Sequence, residues 1–171
     1  MYGTLEQLDD GRWQLRFTRT LRHPMDTVWR AISEPEHLAA WFPTTIEGER
    51  VAGAPLRFTF PADQAPPFEG EMIACEPPSL MELRWGPDII RLELRPTPEG
   101  TELTLLDTLE ELGKAARDGA GWHTCLDALL RSLDGAENAR EAMNAWGDVH
   151  GHYVEDFGPE AAAIGPPEGF D

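Results

Sequence analysis

Two charged side chains stand where apolar ones are expected. In "RWQLRFTRTLR" (residues 12–22), Trp13, Leu15, Phe17 and Leu21 share one parity, and Arg19 shares it with them. In "TELTLLDTL" (residues 101–109), Leu103 and Leu105 lead to Asp107 on the same parity. Alternation of this kind marks a strand with one buried face. Both charges therefore point inward. An inward charge without a partner costs several kcal/mol, so each needs one, and Asp107 is the best single partner for Arg19. One reading is an ion pair that helps specify the fold. The other is a polar hook that orients the polar end of a ligand held among apolar groups. Trp85, Glu69 and Glu71 are further candidates, although parity alone does not decide which face they take.

Other chemistry is sparse. There are three serines (Ser33, Ser79 and Ser132), no nucleophile elbow and no glycine-rich phosphate loop. "HGH" at 150–152, followed by Glu155 and Asp156, has the residue types of a metal site, but no HExxH and no cysteine cluster accompanies it. No metal or other cofactor is expected, and no residue is assigned a catalytic role. His123 is the one histidine close to an apolar stripe. Cys75 and Cys125 lie in unrelated segments without a CxxC, which reads as two reduced thiols in a cytoplasmic protein.

These residues need elements to position them. The 171 residues suffice for one domain with a real core plus an appendage, and 41% of them are hydrophobic. A net charge of −17 repels nucleic-acid phosphates and anionic lipid, which sets both aside as partners. "MYGTLEQLDD" has no basic and no apolar region of a signal peptide, and no run is long enough to span a bilayer. After the first strand, "HPMDTVWRAISEPEHLAAWFP" (23–43) reads as two short helices broken at Ser33–Pro35, because a residue before proline is pushed out of the helical region. Six short runs follow between Thr44 and Leu109, separated by turn chemistry, and imply an antiparallel meander. With the first strand they make seven. "AGWHTCLDALLRSL" then places Trp122, Cys125, Leu126, Leu129, Leu130 and Leu133 on one helical stripe, the cover for the sheet. Residues 1–135 make the main domain. Residues 136–171 make a helical appendage, whose Trp146, Tyr153 and Phe157 pack on that domain or across a homodimer interface. The end, "PEAAAIGPPEGFD", reads as a frayed tail.

This order resembles the START-like, helix-grip superfamily, which includes the birch pollen allergen and the polyketide cyclases. Within it, the sequence is similar to bacterial proteins related to the activator of the ninety-kilodalton heat-shock-protein ATPase. The resemblance is carried by "RxLxHPxxxVWRAISxPExLAxWF" from Arg19, "GEM" from Gly70, "LRWG" from Leu83, "GTELTL" from Gly100, "GWHxCLDAL" from Gly121 and "YVEDFGPE" from Tyr153. It implies an α+β helix-grip fold, a seven-stranded curved antiparallel sheet around a long C-terminal helix, with a space between them. Trp13, Phe17, Trp41, Phe42, Phe58, Trp85, Leu103, Trp122 and Leu126, with Arg19 and Asp107, are the residues expected to line it. The space should measure a few hundred Å³. Its entrance should lie between "PEHLAAWF" and the loop "PADQAPP" (61–67). The expected function is binding of a small hydrophobic molecule without turnover. A cyclase-like or aromatase-like enzyme is the alternative in the same space. A third is a module that interacts with a chaperone, although the first strand begins near Arg12 and leaves no room for the activators' separate N-terminal domain.

Overall fold

The alternating runs become strands, and the short turns between them make each pair of neighbours antiparallel. A computed structural model describes residues 1–166. Its strands are β1 (Thr4–Gln7), β2 (Trp13–Leu21), β3 (Thr45–Glu47), β4 (Pro55–Thr59), β5 (Phe68–Glu76), β6 (Leu80–Trp85), β7 (Asp88–Thr97) and β8 (Gly100–Leu109). Its helices are α1 (Met25–Ser33), α2 (Pro35–Leu38), α3 (Ala115–Leu133) and α4 (Trp146–Phe157). One sheet runs in the order β1-β2-β8-β7-β6-β5-β4-β3. The helix-grip fold expected from the sequence is present, as an open antiparallel sheet with a long helix.

The sheet has eight strands where seven are expected. The addition is β1, which pairs with β2 from Thr4↔Arg16 to Gln7↔Trp13. It is four residues long, polar, and mostly exposed, so it carries no alternation to read. What fixes it is remote in sequence. The Gly3 N–H donates to the Tyr153 hydroxyl at 2.7 Å. Gly3 also crosses the Phe17 ring so closely that an added Cβ would stand 2.5 Å from it, which admits only glycine there.

The two short helices break where proline demands it. Glu34 is extended (φ −85°, ψ 134°) between α1 and α2, and Pro35 takes the first position of α2. The Trp41 indole donates to the Ala31 carbonyl at 2.9 Å, so the second helix is stapled to the first. Trp41 and Phe42 turn into the core and are buried.

Trp122, Cys125, Leu126 and Leu129 of the α3 stripe are buried and Leu130 and Leu133 partly so, and the other flank is buried as well. His123, Thr124, Ala116, Gly119 and Ala120 are buried too, because α4 packs beside α3. Tyr153 of α4 is fully buried and bonds His123 Nδ1 at 2.9 Å. The expected frayed tail is ordered at its start. Pro159–Ala162 forms a 3₁₀ turn, and the Ile164 N–H donates to the Gly113 carbonyl at 3.0 Å. Its remainder, 167–171, lies outside the described residues. No helix among the described residues is long and apolar enough to cross a membrane.

Candidate functional site

Six rings gather where the sheet meets α3 and the helix break. Phe42 touches Trp41, Trp85 and Trp122 with centroids 5.3, 5.4 and 5.6 Å away. Trp85 touches Phe58, Phe68 and Trp122 at 4.8, 4.8 and 5.7 Å. Most of these contacts are edge-to-face, the arrangement that aromatic quadrupoles favour. The rings therefore fill the space near α3 by themselves. Phe17, Trp41, Phe42, Phe58, Leu103 and Leu126 are closed off from solvent, and Trp13 is half-buried at the start of β2.

Two clefts open at the margin of this cluster. The first, about 500 Å³, is walled by Phe60, Phe68, Trp85, Trp122 and Trp146, with Asp88, Lys114, Arg117 and Asp118 at its polar side. The second, about 810 Å³, lies among the α1–α2 junction, β3 and the end of β4, and includes Phe42, Thr44, Arg50, Pro61 and Arg140. Pro43 and Phe60 line both. Of the residues expected to line a ligand space, Trp85 and Trp122 reach the first cleft and Phe42 the second. Phe17, Arg19, Trp41, Phe58, Leu103, Asp107, Leu126 and Trp13 line neither.

The expected Arg19–Asp107 pair does not form. Both residues are inward and buried, but the register sets Arg19 opposite Leu103 and Asp107 opposite Leu15. They stand four rungs apart, about 13 Å at about 3.3 Å per residue. Arg19 Nη1 donates to the Thr18 carbonyl at 3.0 Å, and Nη2 has no partner among the described residues. Burial pulls its pKa down, against the opposing influence of Asp127 and Tyr153. Asp107 turns towards α3 instead. Its Oδ2 accepts from the Trp122 indole N–H at 2.9 Å, while Oδ1 has no partner among the described residues. Parity reveals that both charges point inward, but it cannot reveal the partner.

Asp107 belongs to a group the sequence reading missed. Asp88, Asp107 and Asp118 bring carboxylate oxygens within 4.8 Å of one another. Lys114 Nζ holds both oxygens of Asp88 at 2.9 and 3.1 Å, and the Glu110 N–H donates to the first of them at 2.9 Å. Arg117 Nε donates to Asp118 at 2.8 Å. Burial drives the Asp107 pKa well above the usual carboxylate range, and the neighbouring Asp118 and Asp88 charges add to it. Asp118 is raised too, chiefly by burial and against the pull of Arg117. The group thus sets a carboxyl group whose charged form burial disfavours beside an ammonium–carboxylate pair. The three oxygens could also ligate a hard cation, although Lys114 already supplies a positive charge to Asp88. One signal was available in the sequence: Lys114 is its only lysine. Asp88 was hidden in the turn "GPD" and Asp118 in a helix start.

The histidines of "HGH" diverge. His150 stacks on Trp146 (4.5 Å between centroids) and His152 on Tyr2 (3.6 Å). Burial pushes the Cys125 thiol up to about 12, so it is no nucleophile at neutral pH.

The model of the family described as Activator of Hsp90 ATPase homolog 1-like protein matches residues 22–134, more than half of the chain. No curated protein matches. Among solved structures, a conserved protein of unknown function from Enterococcus faecalis, EF2215, is similar with a TM-score of 0.74 and 20% identity, over 91% of this chain and 90% of that one. CalU16 from Micromonospora echinospora is similar with a TM-score of 0.63 and 21% identity, over 86% and 95%. DynU16, from the dynemicin biosynthetic locus, is 27% identical with a TM-score of 0.66, over 74% of this chain and 49% of that one.

Proposed function

The chain belongs to the Activator of Hsp90 ATPase homolog 1-like family, and on that premise we propose that it binds a small, largely apolar molecule in the aromatic cleft and releases it unchanged. The observation that carries this reading is the wall of the cleft. Phe68, Trp85, Trp122 and Trp146 face about 500 Å³ of space, a size and lining that suit a small ring system. Trp122 does not swing freely, because Asp107 holds its indole N–H. The 27%-identical DynU16 comes from a biosynthetic locus, which supports small-molecule chemistry for this fold. The test is titration with the neutral dye N-phenyl-1-naphthylamine, followed by dye fluorescence. Trp85→Ala should weaken binding severalfold, whereas the exposed Arg16→Ala should not change it. Absence of dye binding at high micromolar concentration would sink the reading and leave an interaction module.

A second reading has one observation in its favour. The acid of Asp107, with Lys114 and Asp118, stands beside the same cleft and supplies proton donors and acceptors. Release of an added ligand as a covalently altered product, detected as a change in its mass, would make the protein an enzyme of the cyclase kind rather than a carrier.

A further inference from the structure

The second cleft differs in chemistry from the first. Its walls keep apolar groups at Phe42, Pro43 and Ile46, but they add hydroxyls and two guanidinium groups. The Arg50 guanidinium is engaged by the carbonyls of Ser33, Ile46 and Gly48. Arg140 is only half engaged. Its Nη1 donates to the carbonyls of Ala39 (3.0 Å) and Phe42 (2.9 Å), and its Nε and Nη2 have no acceptor among the described residues. Thr44 is the second observation. It lines the cleft, it is 4% exposed, and its Oγ1 has no hydrogen-bond partner among the described residues. A buried hydroxyl left without a partner is unfavourable, and an acceptor that arrives with a ligand would relieve it.

The two clefts are neighbours in more than position. Pro43 and Phe60 line both, and Phe42 lines the second while its ring touches Trp85 and Trp122 of the first. The first cleft has its own polar side at Asp88, Lys114, Arg117 and Asp118, and the second adds the Thr44 hydroxyl and the Arg140 guanidinium. The charges around the second cleft are Glu34 and Glu47 against Arg50 and Arg140. They balance, in a chain whose net charge is −17, so the setting does not favour an anion over a neutral oxygen.

We infer that the two clefts form one elongated site for a neutral molecule with an aromatic body and a carbonyl group at one end, the rings lying against Trp85 and Trp122 and the carbonyl oxygen accepting from Thr44 Oγ1 and Arg140. The inference rests on the reading that the aromatic cleft binds a ligand, and it adds the polar end, its position and its donors. Thr44 and Arg140 then determine specificity for the oxygen, while the tryptophans supply affinity for the rings.

A pair of matched probes tests it. Prodan (6-propionyl-2-dimethylaminonaphthalene) is a neutral naphthalene with a ketone at one end. Its analogue 2-dimethylamino-6-propylnaphthalene has a methylene in place of the carbonyl. The full chain should bind the ketone about 3- to 10-fold more tightly than the analogue, the range of a net hydrogen bond. Thr44→Val should remove most of that preference. It should also fold normally, because Oγ1 has no partner to lose. Thr44→Ser, which keeps the hydroxyl, should retain the preference, and Arg140→Leu should reduce it. Trp85→Ala should weaken both probes alike. Equal affinity of the unaltered protein for the two probes, or a preference that survives in both Thr44→Val and Arg140→Leu, would overturn the polar-end assignment and leave the aromatic cleft intact. Binding of neither probe would overturn both readings.

Discussion

At Asp107 a buried carboxyl group has one oxygen bound to an indole N–H and the other without a partner among the described residues. Its folded pKa is raised by burial, so the folded state holds a proton that the unfolded chain releases near pH 4. The sign follows from linkage: stability falls as pH rises from about 4 towards the folded pKa, at about 1.4 kcal/mol per unit. Asp107→Asn keeps an acceptor for Trp122 and removes the ionisation. Its melting temperature should match that of the unaltered protein near pH 4 and exceed it increasingly as pH rises towards the raised folded pKa of Asp107. A constant difference across that range would contradict a protonated Asp107. Arg19 poses the opposite problem, a buried cation with no ion-pair partner among the described residues. Arg19→Met keeps most of the apolar stem and removes the unpaired charge, so thermal denaturation should give an unchanged or higher melting temperature. A loss of 3–5 kcal/mol, the cost of breaking a buried pair, would show that a partner carboxylate is present after all. Inwardness was legible in both residues from two-residue parity, which is local. Partnership was not, because it depends on strand register and on which side chain α3 brings down, and neither is written in the strands themselves.

Among the elements, α3 does the most to hold the sheet. Leu126 on its stripe is fully buried, and Leu126→Ala should cost about 2–5 kcal/mol by denaturant titration. A cost below about 1 kcal/mol would mean that the helix does not cover the sheet. The stripe was plain in the sequence, as were the meander strands and the helix break at Pro35. The second buried flank of α3 was not, because Ala116, Gly119 and Ala120 are small, and small residues signal close approach only once the approaching element is known. That element is α4, with Tyr153 and Phe157 against Gly119. His123 lies on the same flank, and burial lowers its pKa. Its contribution to stability is therefore complete above about pH 6.5 and is lost as pH falls from there through the lowered folded pKa. Likewise, the lining of the clefts was legible only in part. Trp85, Trp122 and Phe42 were named from their size. Lys114, Trp146 and Thr44 reach the clefts from loops and from the C-terminal segment, whose placement no local pattern reveals.

At the scale of the whole molecule, the segment after Gly135 closes the structure. It supplies Tyr153 to the core, Trp146 to the first cleft and Arg140 to the second. Truncation after Gly135 should lower the melting temperature, expose apolar surface on α3 and accelerate amide hydrogen exchange in β1. An unchanged melting temperature and elution volume would show that the segment contributes nothing. The bond from Gly3 to Tyr153 has a consequence in time. It joins residues 150 positions apart, and a ribosome adding about 5–20 residues per second needs roughly 8–30 s to pass from one to the other. Throughout that interval β1 has only its short ladder with β2 to hold it against the edge of the sheet, and the bond that ties its start forms only when the last helix emerges.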